Sequence, residues 1–157
     1  MQNSKMNIRR AKFEDLNSIL ALVKELAIYE KAPDAVWADL RDYQQAFRDQ
    51  VFEAIVGETG NGIIGVCIYY LTWSTWKGRM LYLEDFIVKE AYRRGGFGQK
   101  LFEAFMERAN ELDCTLVKWQ VLDWNEPALN FYKRNHATIE KDWWTGKILL
   151  KSNPERN

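Results

Sequence analysis

Arg93, Arg94, Gly95, Gly96, Phe97, Gly98 and Gln99 form one run whose residue types suit the holding of a phosphate. Glycine lacks a Cβ, so its backbone can approach a ligand closely. The first N–H groups of a helix lack intrahelical partners and, with the helix dipole, attract anions. The two arginines add positive charge. Just before the run stands a β-type apolar stretch, LEDFIV. Just after it, Leu101, Phe102, Phe105, Ala109 and Leu112 recur at helical spacing. The stretch reads as a pyrophosphate cradle between a strand and a helix. It is not a Walker A loop, because no Gly-Lys-Ser/Thr follows. Nor is it a dinucleotide fingerprint, in which Leu101 would have to be Gly or Ala. By residue type alone, the same glycines also suit a surface turn with no ligand.

Composition limits what such a cradle can serve. A chain of 157 residues that is 47% hydrophobic, with seven Trp, seven Tyr and eight Phe, can bury a core of its own. Lys plus Arg equals Asp plus Glu at 22 each, so no global field recruits nucleic acid or a membrane surface. Two cysteines, Cys67 and Cys114, and one histidine, His136, do not make a zinc site. Both cysteines lie in apolar contexts and are expected as buried free thiols. No run of eighteen apolar residues and no signal-peptide pattern is present, so the chain is expected to be soluble and cytoplasmic. Residues 1–5 and 152–157 read as tails.

The elements that must position the cradle follow from periodicity and breakers. A strand is expected at residues 6–10. A helix over 13–30 has Leu16, Ile19, Leu20, Val23, Leu26 and Ala27 on one stripe. After a loop with Pro33 comes a shorter helix at 39–49. Strands at 51–58 and 63–73 flank Asn61-Gly62, a hairpin signal. A third strand runs over 80–88, a helix over 98–112 and a strand over 116–122. A helix then starts near Asn125, whose side chain can cap it, with Pro127 in its first turn, and runs to about 135. Two last strands are expected at 137–142 and 144–150. The order βααβββαβαββ predicts a single α/β (α+β) domain over residues 1–157, core 6–151. Its sheet is mixed and largely antiparallel, with helices on both faces.

With these residues in order, the chain resembles the GNAT superfamily of N-acetyltransferases, and within it the spermidine/spermine (diamine/thialysine) N-acetyltransferase-like branch. Three stretches carry the resemblance. They are Lys24-Glu25-Leu26-Ala27 with Tyr29-Glu30, Leu81-Tyr82-Leu83-Glu84-Asp85-Phe86, and Trp124-Asn125-Glu126-Pro127 with Asn130-Phe131-Tyr132-Lys133-Arg134. The resemblance implies a splayed sheet of the acyl-CoA N-acyltransferase type, acetyl-CoA as co-substrate and no metal. It assigns the cofactor to the backbone of Phe86, Ile87 and Val88, to the run from Arg93 to Gln99, and to Asn125, Pro127 and Ala128.

Transfer of acetyl from a thioester to an amine requires a deprotonated nucleophile. An alkyl ammonium, with a pKa of about 10.4, must give up a proton first. By family position Glu84 is the base, directly or through water; a strand carboxylate paired with a basic neighbour is the plainer reading of the residue. Alternation along the strand turns Asp85 to the opposite face, toward a structural or interfacial role. Tyr132 is the acid by resemblance, since a phenol stays protonated and can give its proton to the leaving thiolate. Helical spacing alone fits a core tyrosine equally.

The resemblance places Tyr29, Glu30, Glu84, Trp119 and Gln120 at the acceptor amine. It implies a small-molecule primary amine: a polyamine, a diamine or a lysine-like amino acid. Several positions depart from that branch: Arg94 in the cradle, Asn135 and His136 after the last helix, and Glu140 with Lys141 where an acidic pair is usual. Acetylation of a protein lysine or N-terminus, and a non-catalytic acyl-CoA-binding module, are the alternatives. Trp73, Trp76, Trp143 and Trp144 are expected in a core or an interface. The branch implies a homodimer with Tyr29 and Glu30 near the partner's active site.

Overall fold

Alternating Ile, Val, Leu and Tyr build one five-stranded sheet. The computed structural model describes residues 5–154 and divides into two compact units, one through Trp119 and one from Gln120 onward. In the first unit the strands are β1 (Asn7–Arg10), β2 (Glu53–Thr59), β3 (Gly62–Ser74), β4 (Gly78–Val88) and β5 (Leu116–Lys118). They lie in the order β1-β2-β3-β4-β5, antiparallel through β4, with β5 parallel to β4. The hairpin predicted from Asn61-Gly62 closes at the Thr59–Gly62 pair. Gly62 takes a φ of 89°, which a side chain would resist.

Helices cover both faces, as the pattern predicts. After a 3₁₀ turn at Phe13–Asp15 comes α1 (Leu16–Tyr29), and α2 (Leu40–Arg48) starts at a capping box. In that box Asp42 N–H donates to Asp39 at 3.0 Å and Asp39 N–H to Asp42 at 2.8 Å. Leu16, Ile19 and Leu22 of α1 bury against Val56, Val66, Ile68 and Ile87 of the sheet. The other face carries α3 (Phe97–Glu111), whose Leu101, Phe102, Phe105 and Ala109 are buried. There the Tyr69 and Phe105 rings stand 5.7 Å apart, and Cys67 Sγ is 3.8 Å from the Leu101 carbonyl. Cys67 is a buried free thiol and Cys114 a half-buried one; burial pushes the Cys67 thiol up, out of any reactive range.

The second unit holds α4 (Glu126–Arg134), with Asn125 Oδ1 accepting from the Ala128 N–H at 3.4 Å and Pro127 in the first turn, as expected. The helix closes at Asn135, whose side-chain amide donates to the Phe131 carbonyl at 2.9 Å, and His136 turns the chain at a φ of 61°.

Three expectations are corrected. The strands predicted at 137–142 and 144–150 do not form. Their residues alternate suitably, but a strand exists only against a partner, and among the described residues of this unit no strand stands for them to pair with. The strand expected over 116–122 stops at Lys118, where its ladder to β4 ends at Tyr82. Nor do Trp73, Trp76, Trp143 and Trp144 lie in a core, which leaves the interface half of their expectation. Trp76 at the β3–β4 turn is 82% exposed and Trp144 is 94% exposed, with Trp73 and Trp143 also outside. The predicted tails lie mainly outside the described residues. Among those residues, no helix is long and apolar enough to cross a membrane.

Candidate functional site

The site starts from an irregularity in β4. Ile68 pairs with Asp85 and Tyr69 with Leu83, so Glu84 is an extra residue, a β-bulge. Before the bulge Tyr82 pairs with Tyr70, and after it Asp85 pairs with Ile68, two residues along β3 from Tyr70. Tyr82 and Asp85 therefore share the face covered by α1 and α2. Asp85 is not turned away from the Glu84 surroundings as strict alternation predicts; the inserted residue resets the alternation.

On that face the Tyr70 hydroxyl donates to Glu84 Oε2 at 2.9 Å. The Tyr70 and Tyr82 rings stack, with centroids 5.3 Å apart and planes at 22°. Burial, then the charges of Glu84 and Glu30, push the Asp85 carboxyl up to about 6. Burial, then Asp85 and Glu84, push the Tyr43 phenol of α2 up to about 12. Glu30, at the end of α1, is also raised by burial. Glu84 itself is exposed and makes no ion pair among the described residues. The bulge thus gathers three carboxylates and three phenols on one face: a surface that attracts a cationic amine and can accept a proton from it.

The outer edge of β4 is open beside this cluster. Since β5 pairs only with Met80–Tyr82, no strand flanks β4 from Leu83 onward among the described residues. This is the predicted splay. The Lys89 N–H bonds the Ile64 carbonyl, and that register directs the Ile87 backbone to β3 and the Phe86 and Val88 backbones to the open edge. Arg93 Nε already occupies the Val88 carbonyl at 2.8 Å. The register and that bond leave fewer outward backbone groups along the strand than the three predicted residues would offer. The Phe86 side chain packs near Phe102, and Phe102 meets Trp119 edge-on at 5.8 Å. That makes Trp119 part of the aromatic layer under α3.

The glycine-capped start of α3 lies where the sequence predicts it. Gly96 caps α3 with a left-handed φ of 81°, no side chain caps the helix start, and a Cβ on Gly96 would meet nothing within 4 Å. Open space over uncapped N–H groups fits a diphosphate. Arg93 to Gly96 are exposed, while Phe97, Gly98 and Gln99 are half-buried. The Arg93 guanidinium lies 5.2 Å from the Tyr29 ring centroid, linking the cradle to the end of α1. Asn61 of the β2–β3 turn braces the loop from the other side, donating to the Tyr92 hydroxyl at 2.7 Å.

In the second unit Tyr132 is buried on α4, its ring edge-on to Phe131 at 5.5 Å. Gln120 donates to Thr145 Oγ1 at 2.7 Å, and Asn125, Pro127 and Ala128 form the start of α4. The structure thus groups Glu84 with Glu30 and Tyr29 with Arg93 in the first unit. Tyr132, Gln120 and the α4 start belong to the second. Sequence reasoning missed Tyr70, Tyr43 and Asn61 as site residues. Only Tyr70 had a signal, since it falls opposite Tyr82 once the hairpin is registered.

Comparison with known proteins agrees with this architecture. Residues 16–137 match the acetyltransferase (GNAT) family. A thialysine N-epsilon-acetyltransferase of Bos taurus is 38% identical over 140 residues, 80% of this chain and 80% of that protein. The spermidine/spermine N(1)-acetyltransferase-like protein 1 of Homo sapiens is 32% identical over 148 residues, 87% of this chain and 21% of that protein. An aminoglycoside acetyltransferase from an uncultured soil metagenomic sample shares the fold at a TM-score of 0.78 and 22% identity, over 93% of this chain and 97% of its own. With the splayed sheet, the glycine-capped helix and these relatives in agreement, the chain belongs to the acetyltransferase (GNAT) family and is an acyltransferase.

Proposed function

We propose that this enzyme moves acetyl from acetyl-CoA to a primary amine of a small molecule, a polyamine, diamine or lysine-like amino acid. The observation that carries the reading is the Glu84 carboxylate. It stands on a bulge beside the open edge of β4, where among the described residues a phenol holds it and no cation pairs with it. A carboxylate held in that way can accept a proton. The cradle from Arg93 to Gln99 binds the diphosphate, and the outward backbone groups of Phe86 and Val88 hold the pantetheine arm. The start of α4, at Asn125, Pro127 and Ala128, contributes to the same binding. Acetyl-CoA supplies the thioester.

Glu84 takes a proton from the ammonium, directly or through one water, and frees the lone pair that attacks the thioester carbonyl carbon. As the C–S bond breaks, Tyr132 gives its phenolic proton to the departing sulfur, and the second proton of the attacking nitrogen is lost as the amide forms, restoring the phenol through water. Tyr29, Glu30, Trp119 and Gln120 line the acceptor site. The carboxylates of Glu84, Asp85 and Glu30 favour a cationic acceptor, and the similarity to thialysine and spermidine/spermine acetyltransferases supports that class. The whole chain acts as one catalytic domain in the cytoplasm. It works as a homodimer, with the exposed tryptophans supplying apolar surface for association. Its balanced charge gives no attraction to nucleic acid or membranes. Thiol release from acetyl-CoA across a panel of amines tests the reading.

A further inference from the structure

We infer that Tyr70 is a positioning residue for the proposed reaction: its hydroxyl fixes the base Glu84 through Oε2 and leaves Oε1 to receive the ammonium proton. This rests on the assignment of Glu84 as the base. Four observations carry the inference. The bulge lifts Glu84 out of the ladder, so strand pairing alone does not fix where its carboxylate points. Among the described residues Tyr70 is the group that hydrogen-bonds that carboxylate, at 2.9 Å. The Tyr70 ring is itself held, stacked on its cross-strand partner Tyr82 at 5.3 Å. Burial, with the hydrogen bond to Glu84 next, pushes the Tyr70 phenol well above its ordinary range, so it remains a donor at any working pH.

The choice of partner matters chemically. A guanidinium in the same place would neutralise the carboxylate and compete with the substrate's ammonium. A phenol orients the carboxylate without adding a positive charge. One donor occupies one oxygen and leaves the lone pairs of the other facing the acceptor. The proton path is then substrate nitrogen to Glu84 Oε1, with the Tyr70 proton never transferred.

The test is a double-mutant cycle on Tyr70→Phe and Glu84→Gln, reading kcat, both KM values and thermal midpoint. Tyr70→Phe keeps the ring stack and deletes the hydroxyl. It is expected to lower kcat roughly tenfold, the scale of one hydrogen bond to a charged group, with KM for acetyl-CoA unchanged. In the Glu84→Gln background the same substitution is expected to cost almost nothing further, because its target is gone. Equal losses in both backgrounds, or an unchanged kcat in Tyr70→Phe beside a strongly impaired Glu84→Gln, would overturn the positioning role while leaving the base intact. Full activity in Glu84→Gln would instead remove the base itself, and this inference with it.

Discussion

Asp85 carries the most telling electrostatics of any single side chain on the face covered by α1 and α2. Its carboxyl has an ordinary value near 3.8 and is lifted to about 6 in the fold, chiefly by burial. Below the ordinary value it is neutral both folded and unfolded. Between the two values it is neutral only when folded, and above the folded value it is charged in both states. The contribution to stability is therefore full at low pH and is lost as pH rises through about 6. Asp85→Asn is expected to stabilise the fold at neutral pH by up to about 3 kcal/mol, and the gain should vanish near pH 4. Urea unfolding of both proteins at the two pH values measures this; a gain of the same size at both would contradict it. This property was not legible in the sequence. Strict alternation turns Asp85 away from Glu84, and an extra residue in one strand leaves no mark in hydrophobic pattern. The roles proposed for Glu84 and Tyr132 rest on family position, because carboxylates and phenols occur in many strands and helices.

Among the elements, the turn into α3 is the one on which the proposed CoA binding depends. Gly96 holds a left-handed φ of 81° with open space beside it. Gly96→Val therefore meets no clash, but a β-branched residue resists that φ and the turn must move. CoA affinity, read by calorimetry on the folded variant, is expected to fall about tenfold or more. Unchanged affinity would remove the cradle assignment. This element was legible because glycine, uncapped helix start and apolar periodicity are all local properties. The same holds for α4, whose Asn125 cap and Pro127 announce its start. Residues 137–150 were not legible for the opposite reason. Apolar alternation there states a capacity for strand pairing, and pairing is decided by what lies alongside.

At the scale of the whole molecule, large apolar side chains stand exposed in both units. Trp73 and Trp76 in the first unit, and Trp143, Trp144, Ile148 and Leu150 in the second, all face outward. A homodimer is expected in solution, and light scattering at micromolar concentration reads it out; a fully active monomer would contradict it. The order of elements through α4 and a splayed sheet followed from sequence and resemblance together, whereas the opening from Leu83 onward did not, because the strand over 116–122 stops at Lys118. The acidic face made by Glu84, Asp85 and Glu30 needed the coordinates. Thiol release from acetyl-CoA across polyamines, diamines, lysine-like amino acids and a lysine peptide tests most directly whether a base on that face carries acetyl transfer to a cationic amine. Rapid release is expected with one or more small primary amines, falling about 10²-fold in Tyr132→Phe while CoA affinity holds. Tight CoA binding with no amine-dependent thiol release from any member of the panel would contradict the account.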